Sequence, residues 1–236
     1  SIDGGRKDNA IPRECTAQII VAPDEAAAVK ASIEQAAAEI ADEFKASDPD
    51  LKLTVSEETD CSESAISAKD SARVIALIEA LPNGIIRMSR EIDKLVETSL
   101  NLGVLKSDDA AVILRYAVRS SVGVAKKSLK NQLVCIAGAF AAEVTFEGDY
   151  PAWEYKKDSK LREDMVRIFE EMYGKKPTIE AIHAGVECGL LSGKIEGLDC
   201  ISMGPDMYDI HTTEERLSIS SAKRSYEYIL RVIACK

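Results

Sequence analysis

The 236 residues hold only two histidines, His183 and His211. Imidazole is both the commonest metal ligand and the side chain that titrates nearest neutral pH. His183 stands in Ile182-His183-Ala184-Gly185-Val186-Glu187-Cys188-Gly189. Gly185 lacks a Cβ, so a ligand or another backbone can come close. A helix following it would present free N–H groups, a seat for a carboxylate. The same residues also read as a tight strand-to-helix turn with a satisfied histidine. His211 follows Gly204-Pro205-Asp206-Met207-Tyr208-Asp209-Ile210, and Thr212 and Glu215 have the spacing of a capping box. A helix is therefore expected directly behind it. His211 reads as a metal ligand or as an exposed loop histidine. One histidine does not make a zinc site, which takes three or four protein ligands. No second His/Asp/Glu cluster at ligand spacing accompanies it, and Glu214 and Glu215 suit a helix dipole.

Arg119 closes the run Ala110-Ala111-Val112-Ile113-Leu114-Arg115-Tyr116-Ala117-Val118-Arg119-Ser120. Arg115 and Arg119 are an even number of residues apart and share a strand face. A guanidinium at a strand end can clamp a carboxylate bidentately, or it can be a solvated surface charge. Asn9, in a Gly-rich opening loop, offers both donor and acceptor and also suits a plain turn. Glu170 and Glu171 are adjacent on a helix and face different ways, so they are no acid/base pair. The sequence has no P-loop, GxGxxG, GxSxG or HExxH motif.

These groups must be positioned by the elements that hydrophobic spacing predicts. Strands are expected at 15–22, 51–55, 85–88, 96–104, 110–118 and 142–146, and helices at 25–45, 62–81 and 123–139. Residues 106–109 suit a hairpin turn between two of the strands. The order β-α-β-α-β-β-β-α-β argues for an α+β layer, a mostly antiparallel sheet with helices on one face. Residues 149–153, with the single tryptophan and a proline, read as a linker. Beyond it, helices at 159–173, 185–191 and 213–234 alternate with short strands at 178–182 and 198–202. That is an α/β segment with an expected parallel pair.

Composition narrows the function. Forty Asp+Glu against thirty Lys+Arg give a net charge of −10 with no basic block, a poor match to nucleic acid or anionic membrane. A hydrophobic share of 46% and a charged share of 30% suit a globular core. No apolar run reaches membrane-spanning length, and no signal-peptide pattern opens the chain. The six cysteines show no CxxC pairing, as expected of reduced thiols in a cytoplasmic protein. The chain opens Ser1-Ile2-Asp3-Gly4-Gly5 with no helix or strand expected to lead in, and Gly4 to Pro12 reads as a loop that should follow a strand, so a segment of a longer protein is expected.

Several motifs occur together in order. They are Asp3-Gly4-Gly5, Asn9-Ala10-Ile11-Pro12-Arg13-Glu14, Pro82-Asn83-Gly84, Val96-Glu97-Thr98-Ser99-Leu100-Asn101, Arg119-Ser120, His183-Ala184-Gly185-Val186-Glu187-Cys188-Gly189-Leu190 and Gly204-Pro205 with His211-Thr212. Together they resemble the C-terminal half of the aminoacyl-histidine (Xaa-His) dipeptidases. That group belongs to the aminoacylase/carboxypeptidase-G2/carnosinase superfamily of dinuclear zinc peptidases. The resemblance implies a lid and dimerisation domain over 1–152, without its beginning, and a C-terminal segment of the catalytic domain over 153–236. It implies that His211 is a metal ligand and that Asn9 and Arg119 contact the substrate, the arginine at its C-terminal carboxylate. Gly185 would lie beside the substrate, with His183 and Glu187 in the same pocket. The general base and the other ligands belong to motifs ahead of residue 1, so no catalytic residue is expected in this chain. Two zinc ions, or other divalent metals, would bridge and acidify a water. A carboxylate would shuttle its proton, and lid closure would exclude solvent. A dipeptide substrate and a homodimer are expected partners, and the chain alone is expected to be inactive. A non-catalytic α+β module for dimerisation or small-ligand binding, or an enzyme for N-acyl amino acids, are the competing readings.

Overall fold

The computed structural model describes residues 1–58, 65–181, 187–210 and 212–235. The chain divides into two compact units, Ser1–Ala76 with Leu102–Arg115, and Leu77–Asn101 with Tyr116–Lys236. In chain order the first elements are β1 (Ile2–Gly4), β2 (Cys15–Ala17), α1 (Ala26–Glu43), α2 (Ala68–Ala80), β3 (Gly84–Met88), β4 (Val96–Ser107) and β5 (Val112–Ser120). They are followed by α3 (Gly123–Ala139), α4 (Lys160–Tyr173), α5 (Glu187–Lys194), β6 (Met207–Tyr208), β7 (Arg216–Leu217) and α6 (Ile219–Ala234).

In the first unit β1 is the middle strand. It runs antiparallel to β2, Gly4 opposite Cys15, and antiparallel to the end of β4, Gly4 opposite Leu105. β4 passes to β5 through a tight turn. Asp108 accepts from the N–H groups of Ala110 and Ala111 at 2.8 and 2.9 Å, and its own N–H donates to Ala111 O at 3.0 Å. Those amide donors are also why the Asp108 carboxyl titrates below the usual range. Ser67 starts α2, donating to Asp70 Oδ2 at 2.8 Å and accepting from Asp70 N–H at 3.1 Å.

In the second unit β3 lies antiparallel to the first half of β4, Gly84 opposite Leu100, with a bulge around Arg87. Ala125, Leu129, Leu133 and Ala137 recur every four residues along α3 and are its buried face. Leu129 and Leu133 meet Leu100 of β4, with Leu81, Tyr116 and Val118 packed around them. Each such leucine contributes about 1.5–3 kcal/mol by leaving water. Further along, Ile168 of α4 is fully buried. Phe169 and Tyr173 meet Tyr228 of α6 with ring centroids 5.4 and 6.5 Å apart. The Tyr228 hydroxyl donates to Met165 O at 2.6 Å, tying the two helices at a polar point.

The antiparallel sheet with its helices is the expected α+β architecture. Several expected elements are corrected. Strand 15–22 stops at Ala17, and Ile19 and Ile20 are exposed. Residues 51–55, 142–146 and 198–202 form no strand, because none finds a ladder partner among the described residues. Residues 178–181 are likewise not a strand, and Ile182 lies outside the described residues, so the expected parallel pair is not among them. The last helix begins at Ile219, not 213. Thr212 closes a turn instead, its hydroxyl donating to Asp209 O at 2.6 Å within the β6–β7 hairpin. Ser218 is the cap, accepting from Ser221 N–H.

Candidate functional site

Asn9 sits at the tip of a loop that the sequence closes tightly. Gly5 N–H donates to Glu14 O at 3.2 Å, Arg6 pairs with Glu14 at 2.8 Å, and Ala10 N–H donates to Lys7 O at 3.3 Å. Gly5 has φ +70°, a conformation glycine adopts at no steric cost. The loop lies directly on β4. A Cβ on Gly103 would stand 2.3 Å from Asp8 O and 2.4 Å from Lys7 O. Asn9 itself is exposed, its N–H donating to Asp8 Oδ1 at 2.9 Å.

Arg119 is half-buried near the end of β5, and its guanidinium has no hydrogen-bond or ion-pair partner among the described residues. The neighbouring positions are firmly held. Ser120 Oγ is 2.9 Å from Thr98 Oγ1 and accepts from Val122 N–H at 3.1 Å. Ser121 N–H donates to Glu97 O at 3.0 Å, and Glu97 is buried with Arg87 at 3.5 Å. A strand end fixed this way aims a cation without neutralising it. Arg115 is exposed.

Glu187 begins α5 and is exposed. His183 and Gly185, with the rest of 182–186, and His211 lie outside the described residues. Among the described residues no group of three or more His, Cys, Asp or Glu is placed to hold a metal ion. The described part of the chain therefore does not furnish a zinc cage.

The second unit contains a cavity of about 1310 Å³. Glu97, Trp153, Met165, Phe169, Ser202 and Tyr228 are among its lining residues. Arg119 and Glu187 are not in that lining. The sequence reading missed this wall because it treated 149–153 as a connector. The segment is in fact anchored. Asp149 is paired with Lys126 and with Lys130, the latter at 2.8 Å, and the two ammonium groups hold its carboxyl below the usual range. Glu154 Oε1 accepts from Gly123 N–H at 2.9 Å, a carboxylate at the positive end of α3. Pro151 lies against α5, where a Cβ on Gly189 would meet Pro151 O at 2.7 Å. The Gly189 and Gly193 spacing within Glu187-Cys188-Gly189-Leu190-Leu191-Ser192-Gly193-Lys194 is the signal that could have shown this close approach.

Asp199, also in the lining, organises the start of α4. It accepts from Ser159 Oγ at 2.7 Å and from Leu161 N–H at 3.1 Å. Burial works to raise its carboxyl, but those two donors, with Lys156 and Arg162 nearby, outweigh burial and hold it below the usual value.

Comparison with known proteins adds the following. Residues 1–48 match the peptidase dimerisation domain of M20 peptidases. The chain is 31% identical over 219 residues to the cytosol non-specific dipeptidase of Escherichia coli K12, covering 93% of this chain and 45% of that protein. It superposes on the crystal structure of aminoacylhistidine dipeptidase from Vibrio alginolyticus with TM-score 0.88 and 29% identity, over 99% of this chain and 48% of that one. Aminopeptidase PepT from Bacillus cereus ATCC 10987 shares the fold at TM-score 0.52 and 18% identity, over 69% of this chain and 44% of that one. The chain thus spans about half the length of the relatives it matches.

Proposed function

We propose that the chain is part of an M20 peptidase of the aminoacyl-histidine dipeptidase kind, and that the full-length protein hydrolyses dipeptides, with Xaa-His dipeptides as its substrate class. The observation that carries this reading is the likeness to a dipeptidase across 93% of the chain. In this reading residues 1–152 form the lid and 153–236 a C-terminal part of the catalytic domain. Arg119 binds the substrate's terminal carboxylate through a two-pronged, charge-assisted contact. Its half-buried guanidinium, unpaired among the described residues, supports that role. Asn9 contacts the substrate as donor and acceptor, and the rigid seat of its loop on Gly103 supports a positioning task. Gly185 leaves room beside the substrate, with His183 and Glu187 in the same pocket.

Zinc is the proposed metal, with His211 as one of its ligands. The described residues do not complete a site for it, so the roles assigned here are those of the chain's own side chains. The match of residues 1–48 to a dimerisation domain supports a homodimer. The likeness to a cytosolic enzyme supports a cytoplasmic location. No helix among the described residues is long and apolar enough to cross a membrane.

The test is hydrolysis of a panel of Xaa-His dipeptides by the full-length protein, before and after chelation and with zinc restored. Turnover that chelation abolishes and zinc restores is expected. A properly folded full-length protein that cleaves none of them overturns the proposal.

A further inference from the structure

Two cysteines that take no part in the proposed hydrolysis lie near each other, the sulfur of one against the main chain of the other. Cys188 is the second residue of α5, and Cys200 follows in the irregular segment after it. Cys200 Sγ lies 3.9 Å from the carbonyl oxygen of Cys188, toward which it is a donor. Both cysteines are half-buried and free, whereas Cys15, Cys135 and Cys235 are exposed. Cys200 Sγ thus lies beside the first turn of α5, which carries Cys188. Proximity substitutes for reactivity in closing such a pair, because the second attack is intramolecular.

We propose that Cys188 and Cys200 are an oxidisable dithiol that closes to an intramolecular disulfide on meeting a small-molecule disulfide. One thiolate attacks a sulfur of the oxidant, forming a mixed disulfide and expelling one thiolate. The second cysteine, losing its proton to solvent, attacks the protein sulfur of that mixed disulfide and expels the other half. The protein dithiol loses two electrons and two protons, and the small disulfide leaves as two thiols. The bond ties the first turn of α5 to the segment where Cys200 lines the cavity and Asp199 holds the start of α4. Burial first, and then the charge of an ionised Cys200, push the Cys188 thiol up. Thiolate is therefore scarce at neutral pH, and closure accelerates as pH rises. None of this depends on the proposed activity.

The experiment incubates full-length protein with oxidised glutathione at neutral and at mildly alkaline pH. Free thiols are then alkylated and the peptides mapped without reduction. The expected result is a single cross-linked pair, Cys188 with Cys200, and loss of alkylation at both. It forms faster at the higher pH and is reversed by dithiothreitol. Cys188→Ser and Cys200→Ser instead retain glutathione on the remaining thiol. The wild-type map stands if either variant misfolds. Both thiols alkylating as in the reduced control, a reaction stopping at the mixed disulfide, or bonds to other cysteines or a second chain would overturn the proposal.

Discussion

Arg119 and Gly189 show how single residues carry the account. Truncating Arg119 to Ala removes a charge-assisted pair worth about 1.5–3 kcal/mol, so kcat/KM of the full-length protein should fall about 10- to 150-fold, with KM raised. Steady-state kinetics check this, and unchanged kinetics remove Arg119 from the site. Its sequence context favours a solvated surface arginine. The firmly held strand end, through Thr98, Ser120 and Glu97, supports the clamp. Gly189 makes the opposite point about sign. In an exposed helix, Gly→Ala stabilises by up to about 1 kcal/mol. Here the added methyl would meet Pro151 O at 2.7 Å, and overpacking against backbone costs about 1–3 kcal/mol. Gly189→Ala should therefore lower the melting temperature. A rise would mean Pro151 does not sit on α5 as described.

At the scale of elements, α3 was legible from its four-residue stripe alone, because a helix makes its own hydrogen bonds and needs only one apolar face. Leu129→Ala should cost about 2–5 kcal/mol in denaturant unfolding, since Leu100, Tyr116 and Val118 cannot close the gap fully. Leu51, Leu53, Val144 and Phe146 show the converse. Their alternation is strand-like, but a strand exists only with a neighbour to accept its ladder, and none is supplied among the described residues. Phe146 instead lies under the Lys130 ammonium, 4.3 Å from the ring centre. The start of α6 was misread because Thr212 and Glu215 have capping spacing, yet a turn of the β6–β7 hairpin uses Thr212 first. The Asp199 cap of α4 adds a pH signature. Its folded-state value is depressed, so its stabilisation is complete above the unfolded value of about 3.9 and is lost as pH falls through the lower folded value. The melting-temperature gap between wild type and Asp199→Asn should be constant near neutrality and narrow below about pH 4. A gap that widens on acidification would contradict this.

For the molecule as a whole, chemistry is divided. The described residues position a guanidinium, a carboxamide loop and the wall of a cavity, but they group no metal ligands. On the proposed reading His211 is one ligand of the three or four that each zinc ion takes, so the 236-residue chain alone should not hydrolyse Xaa-His dipeptides with added zinc. Turnover by the purified chain would show that residues outside it are not needed. The most direct measurement of the central claim compares an Xaa-His dipeptide with its C-terminal amide, using full-length wild type and Arg119→Ala. A carboxylate clamp predicts that wild type prefers the free acid by about tenfold or more and that Arg119→Ala erases most of that preference. Equal discrimination in the two proteins would contradict the account.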